Sequence, residues 1–370
     1  MSADTLPPFN PHPLLRGGHR QTLFAYFVRG RVPRYSAVCH RVDLPDGDVL
    51  MLHDDCPPNW GPGSPFVVLM HGLGGCHGSA YIERIAEKLT TFGVRTFRLD
   101  HRGAGAGARL SKHPYHAGRS EDVREAFQAA SQLCPGSLGA LAGFSLSGNM
   151  LLKMLGENGR MGYSPEYLAC AVAVNPPIDL GLCSEALRRS DNRFYDRYFT
   201  KMLVPQVRER IETFADAPRP GAGWAPETLR DFDETYTAFV SGFESLQDYY
   251  ERSSSAQFVE SIETPTFILT GRDDPLIPAC SFEQLPSVPS VAVHIAEHGG
   301  HLGYVAGKTS DPDRRWMDWR VIDWLAQHLR FSRGQRWSWR CRFRRYLFCF
   351  AHESRSVAVL LKANLSGVES

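Results

Sequence analysis

The amino-acid sequence predicts an α/β architecture in which a mostly parallel central sheet is flanked by helices and interrupted by one helical insertion. Three observations carry that expectation. Apolar runs of strand length recur along the chain, helix-like stretches alternate with them, and the turn Gly143-Phe144-Ser145-Leu146-Ser147-Gly148 joins one run directly to a helix-like segment. Alternation of strand and helix is what a parallel sheet with helical crossovers requires.

The elements follow in order. A hairpin is expected over Val38 to Leu44 and Val49 to His53, about the turn Pro45-Asp46-Gly47-Asp48, adding antiparallel strands at one edge. Strands are then expected at Phe66 to Met70, Val94 to Leu99, Ala140 to Phe144 and Ala169 to Val174, and again at Thr266 to Leu269 and Val291 to Ile295. Several are nearly continuous in apolar residues, as befits strands covered on both faces. Tyr81 to Phe92, Ser120 to Leu133, Asn149 to Leu155 and Trp316 to Leu329 read as helices. The block from about Leu180 to Ser261 is rich in aromatic and charged residues without a strand pattern and reads as a helical cap. The resulting organisation is an N-terminal extension and edge hairpin (1–65), a core in two parts (66–180 and 262–330), the cap (181–261) and a tail (331–370).

At 370 residues the chain is long enough for one large α/β domain carrying an insertion. The 40 acidic and 41 basic residues nearly cancel, so no overall field recommends nucleic acid as a partner. Nine cysteines stand singly, with neither paired spacing nor a Cys/His cluster, which suggests no disulfide framework and no structural metal. The first residues break any apolar run with prolines, and no window offers the roughly 18 apolar residues that span a bilayer. A soluble, cytoplasmic protein is expected. Its tail interleaves eight basic residues with tryptophans, phenylalanines and a tyrosine, a composition suited to peripheral contact with an anionic membrane surface. The alternatives are nucleic acid, which the same composition would suit, and a floppy extension beyond the last helix; the chemistry needs nothing from the tail, because every triad candidate precedes it.

The chemistry gathers at three loops. Gly143-x-Ser145 fits the sharp strand-to-helix turn that presents a nucleophilic serine, although Ser147 stands where the pattern carries glycine. The rival registration, with Ser147 as nucleophile, places the bulky Asn149 at a position that must be small. Serine chemistry also needs a base, an orienting acid and amides for the oxyanion. Asp273 and Asp274 follow the strand at Thr266, at the end where such sheets bind ligands. His298 and His301 share a glycine-rich loop, and the glycines around His301 favour it as the base. The turn His71-Gly72-Leu73-Gly74-Gly75 offers the Leu73 amide to pair with that of Leu146 as an oxyanion hole. No lysine follows these glycines as a phosphate loop requires, and Gly103-x-Gly105-x-Gly107 lacks dinucleotide-binding spacing. No cofactor and no metal are implied.

The chain resembles the YheT-like branch of the α/β-hydrolases, a group of esterases, medium-chain esterase/acyltransferases and phospholipid-acting hydrolases, over roughly residues 7 to 330. The resemblance rests on Gly18-His19-Arg20-Gln21-Thr22, His71 to Gly75, Asp100-His101-Arg102-Gly103, Tyr115-His116-Ala117-Gly118, the Ser145 turn, Asn175-Pro176-Pro177-Ile178-Asp179-Leu180, Asp273 to Pro278 and Gly299 to Tyr304. It implies the α/β-hydrolase fold and a triad of Ser145, Asp274 and His301, Asp274 being preferred because Asp274-Pro275-x-Ile277-Pro278 resembles the family's acid loop. The implied activity is hydrolysis of carboxylic esters of short- to medium-chain acyl groups, small molecules held beneath the cap. Acyl transfer to an alcohol by the same triad and a noncatalytic binding protein are the alternatives. His19 and His116 are expected to anchor structure.

Overall fold

The computed structural model describes residues 6–28 and 37–332. The basic tail lies, from residue 333 onward, outside the described residues. Eight strands form one sheet: β1 (Val38–Asp43), β2 (Val49–Asp55), β3 (Phe66–Met70), β4 (Arg95–Asp100), β5 (Gly139–Phe144), β6 (Leu168–Val174), β7 (Thr266–Gly271) and β8 (Val291–Ala296). Their spatial order is β1-β2-β4-β3-β5-β6-β7-β8. The β1–β2 and β2–β4 pairs are antiparallel and all others are parallel. This is the α/β-hydrolase fold that the sequence predicted.

Burial explains the order. Every residue of β3, β5 and β7 is buried, whereas β1 alternates exposed and half-buried positions and takes the edge. Continuous apolar strands need cover on both faces, which only central positions supply. Helix α1 (Gly18–Phe27) precedes the sheet, and the covering helices include α2 (Ala80–Thr91), α3 (Ser120–Gln132) and α4 (Leu146–Arg160). In α2, Ile82, Ile85, Ala86 and Leu89 fall at helical spacing and are buried, giving the apolar stripe that docks on the sheet. Helix α4 is twice the length expected from Asn149 to Leu155. Its first turn starts directly after Ser145, and its C-terminal half holds Gly156 and Gly159, which weaken the helical signal of the sequence.

Between β6 and β7 the chain runs through α5 (Leu180–Leu187), α6 (Arg193–Thr213), α7 (Leu229–Phe232), a π-helical turn (Asp233–Thr237), α8 (Ala238–Val240) and α9 (Leu246–Ser253). A short α10 (Cys280–Glu283) and the closing α11 (Trp316–Leu329) complete the fold. Helix α11 packs against α2 and β6. The seven cysteines among the described residues form no disulfide. No helix among the described residues is long and apolar enough to cross a membrane.

Candidate active site

Ser145 sits between β5 and α4 with φ 52° and ψ −123°, a backbone state that costs about 1–3 kcal/mol and persists only where its surroundings enforce it. Here they do. The Ser145 N–H donates to Val174 O at 2.8 Å, and its carbonyl accepts from Gly148 N at 2.8 Å. Position 143 must be glycine, because a Cβ there would lie 2.5 Å from the Ser147 carbonyl oxygen. Asn175, Leu302 and Tyr304 also adopt positive φ, so four of the six positive-φ non-glycine residues among the described residues lie just beyond the C-terminal ends of β5, β6 and β8.

Those ends bring the three expected residues together. His301 Nε2 lies 2.9 Å from Ser145 Oγ, and His301 Nδ1 lies 2.9 Å from Asp274 Oδ2. Asp274 Oδ1 accepts the N–H groups of Leu276 and Ile277 at 2.8 and 3.2 Å, while Asn175 Nδ2 donates to its Oδ2 at 2.6 Å. The carboxylate is thus held by three donors besides the imidazole. Asp273 does something else: its Oδ1 accepts the Gly300 N–H at 2.9 Å and its Oδ2 lies 3.3 Å from His298 Nδ1. The rival pair Asp273–His298 is a brace at the foot of the histidine loop, and His298 is half exposed.

Ser147 is buried and engaged. Its hydroxyl donates to the His71 carbonyl and takes a 2.6 Å hydrogen bond from His101 Nε2. Burial lowers the pKa of His71 and His101, and it is the neutral imidazole that the network needs. His71 Nδ1–H points at the Gly72 carbonyl at 2.7 Å. The hydroxyl therefore ties the ends of β3 and β4 to the first turn of α4, and it cannot face a substrate.

Leu73 and Leu146 line the cavity beside the serine. A Cβ on Gly72 would come within 3.5 Å of Ser145 Oγ, which places the Gly72–Leu73 peptide against the hydroxyl. The neighbouring amides are used: Gly72 N–H donates to Tyr81 OH at 2.9 Å and Gly74 N–H to Tyr115 OH at 2.6 Å. Leu146 opens α4, so its N–H is one of the amides a helix leaves without an internal acceptor. The loop is anchored from below by Asp100, which accepts the His77 amide at 2.6 Å and His77 Nδ1 at 2.7 Å as well as His53 Nε2 at 2.9 Å. Burial alone would raise the Asp100 pKa, but these donors hold it far below the usual carboxylate range. His53, His77 and Asp100 are near enough to one another to suggest a metal set, yet their facing atoms are already joined as donors and acceptor.

Gln21 and Thr22 belong to the run that carries the resemblance, but the sequence assigned them no role in this geometry. Thr22 Oγ1 in α1 accepts the His301 N–H at 2.8 Å across 279 positions of sequence. Gln21 is fully buried and bonds both the amide and the carbonyl of Val305. His19, by contrast, stacks on Tyr195, and its Nδ1 lies 3.2 Å from that hydroxyl. His116 accepts the Gly118 N–H on Nδ1 at 3.1 Å, is kept neutral by burial, and lines the cavity that reaches Ser145.

That cavity, about 120 Å³, is walled mainly by apolar side chains of the insertion such as Leu187, Phe199, Leu203 and Phe232, and contains Ser145 and His301 at its floor. Its polar members include Arg210, Asp233 and Tyr250. Tyr250 OH donates to Asp233 Oδ2 at 3.2 Å, and burial pushes the Asp233 carboxyl up to about 7.

A family model for the alpha/beta hydrolase fold matches residues 65–307, and the chain belongs to that family. It is 27% identical to "Putative esterase YheT" of Escherichia coli K12 over 84% of this chain and 91% of that one. It is 28% identical to mouse phospholipase ABHD3 over 66% of this chain and 59% of that protein, and 25% identical to the monoacylglycerol lipase of Saccharomyces cerevisiae over 71% and 59%. The alpha/beta hydrolase GrgF from Penicillium sp. sh18 shares the fold, with a TM-score of 0.52 over 80% of this chain and 100% of that chain at 22% identity.

Proposed function

We propose that the protein hydrolyses carboxylic esters of short- to medium-chain acyl groups through an acyl-enzyme on Ser145. The observation that carries this reading is the unbroken relay Ser145 Oγ–His301–Asp274, 2.9 Å at each step, opening into an apolar cavity. The names of relatives as an esterase, a phospholipase and a monoacylglycerol lipase agree with it.

In this mechanism His301 Nε2 removes the Ser145 proton as Oγ bonds to the acyl carbon. The developing oxyanion receives the amides of Leu73 and Leu146, donors fixed before the charge appears and therefore worth several kcal/mol each, about 3 in comparable sites. Asp274 holds the imidazole with Nδ1–H toward itself and stabilises the imidazolium. His301 then returns its proton to the departing alcohol as the C–O bond breaks. Water, deprotonated by His301, attacks the acyl-enzyme and regenerates Ser145. The insertion supplies the apolar walls that bind the acyl chain. Asp233 and His116 give that binding site polar points.

A fluorophosphonate should label Ser145, located by peptide mass spectrometry, and nitrophenyl esters from acetate to laurate should be hydrolysed with a maximum at the short or middle lengths. Labelling at Ser147, or no ester turnover by protein that is folded, overturns the reading.

A further inference from the structure

Five arginines are buried among the described residues: Arg84, Arg98, Arg102, Arg210 and Arg320. Four of them face carboxylates. Arg84 meets Asp318, Arg98 meets Asp55, Arg102 meets Asp46, Asp48 and Asp122, and Arg320 meets Asp311 and Asp323. Arg210, in the last turn of α6 and only 4% exposed, is the exception. No carboxylate oxygen among the described residues lies within 4.0 Å of its guanidinium. Its Nη1 donates to Tyr236 OH at 3.1 Å, and its Nε is buried with no acceptor among the described residues.

Burying a guanidinium without an anion is costly, so proteins pair buried charges. The carbonyls at the end of α6 offset only a small part of that cost. Arg210 also belongs to the cavity that holds Ser145 and His301. The other two arginines of the cavity wall, Arg188 and Arg230, both have Glu185. The guanidinium stands where it has been given room: a Cβ on Gly103, whose φ is +69°, would lie 3.0 Å from Nη2. It is near enough to Tyr115 to act on that hydroxyl, and Tyr115 OH in turn accepts the Gly74 amide beside Leu73.

Resting on the hydrolase reading, we infer that Arg210 completes its ion pair with the substrate: the natural ester carries an anionic oxygen group, a carboxylate or a phosphodiester, which the guanidinium binds within the acyl-ester cavity. Two oxygens of such a group match the planar fork of an arginine, which a lysine cannot reproduce. Arg210 is then a specificity-determining residue, setting which esters reach Ser145 without taking part in proton transfer.

The test compares esters that differ in charge. 4-Nitrophenyl butyrate is paired with mono-4-nitrophenyl glutarate, which places a carboxylate on the acyl side. 1-Butyrylglycerol is paired with 1-butyryl-glycero-3-phosphocholine, which places a phosphodiester on the alcohol side. In Arg210→Gln, the ratio of kcat/KM for the charged over the neutral ester should fall about tenfold or more in one pair, and that pair names the anion and its side. Arg210→Lys, which keeps the charge and loses the fork, should lie between. In parallel, calorimetry on Ser145→Ala and Ser145→Ala/Arg210→Gln measures binding of glutarate and of glycerophosphocholine without turnover, and one of them should bind at least about tenfold more weakly to the double variant. If Ser145 is labelled and turns over neutral ester but both ratios and both affinities are unchanged, the inference fails while the hydrolase reading stands. If Ser145 is not labelled, that reading fails, and the calorimetry alone decides whether Arg210 binds an anion.

Discussion

Ser147 occupies the position where the nucleophile turn usually carries glycine, and its hydroxyl is spent inside the protein, between the His71 carbonyl and His101. Residue 147 lies in helix α4, so no positive φ is asked of it, and a small polar side chain fits. Ser145→Ala should abolish fluorophosphonate labelling and lower kcat by about 10⁶-fold, as for other triad nucleophiles. Ser147→Ala should keep turnover within about tenfold but lower stability by about 1–3 kcal/mol, because it strands the buried His71 carbonyl and His101 N–H, and a chemical denaturation curve reads that loss. For the acid, Asp274→Asn should cost about 10⁴-fold in kcat by fixing the wrong imidazole tautomer, while Asp273→Asn, which still offers an oxygen to Gly300 N–H, should cost far less. Equal losses in the two variants would show that the brace and the relay act as one.

At the scale of elements, local patterns were readable and long-range clamps were not. The continuous apolar runs at Phe66–Met70 and Ala140–Phe144 announced buried parallel strands, and Gly143 with Ser145 announced the turn, because each depends on neighbours in sequence. Strand β4 begins one residue later than the apolar pattern suggests, since Val94 is buried but its backbone turns before the ladder. Helix α1 could not be read as part of the site. It looks like the start of an extension, yet its Thr22 holds the backbone of His301 and its Gln21 ties the chain at Val305. Nothing in a ten-residue helix of mixed polarity says what lies 279 residues away. Arg210 was equally silent, because an arginine in an aromatic helix is ordinary and only the tertiary structure shows that no carboxylate among the described residues pairs with it. Thr22→Val keeps the shape of the side chain and removes the acceptor. It should lower kcat by about tenfold with KM little changed and the melting temperature nearly intact, and Thr22→Ser should restore most of the rate. A proportionate loss of stability and rate would make Thr22 a packing residue only.

Across the whole molecule, the buried Asp318 and the half-buried Asp233 give stability opposite dependences on pH. Asp318 in α11 faces Arg84 and Lys88 of α2, at 3.1 and 2.7 Å, and joins the two helices. Burial would raise its pKa, but the two cations bring it down to about 2. A depressed carboxylate pKa adds stability that is fully present above the unfolded value near 4 and is lost as pH falls through about 2. Asp233 is the reverse. It is surrounded by protein and faces the cavity, and burial lifts it to about 7, so the native state holds a proton that the unfolded chain releases near pH 4. Stability from this group therefore falls as pH rises from about 4 to about 7 and is level above that. Asp318→Asn should destabilise by about 3 kcal/mol from pH 4 to 8, since it leaves Arg84 and Lys88 with less than a full partner, and its deficit should shrink below pH 4. Asp233→Asn should match wild type near pH 4 and exceed it by about 1–2 kcal/mol at pH 8; the full conversion of the shift is larger, but solvent entering the cavity screens the charge. Thermal melts of the three proteins at pH 3.5, 5 and 8 check both signs. A variant at position 233 that is less stable than wild type at pH 8 would mean that the carboxylate there is paired, and that the cavity carries an internal counter-charge rather than waiting for one from the substrate.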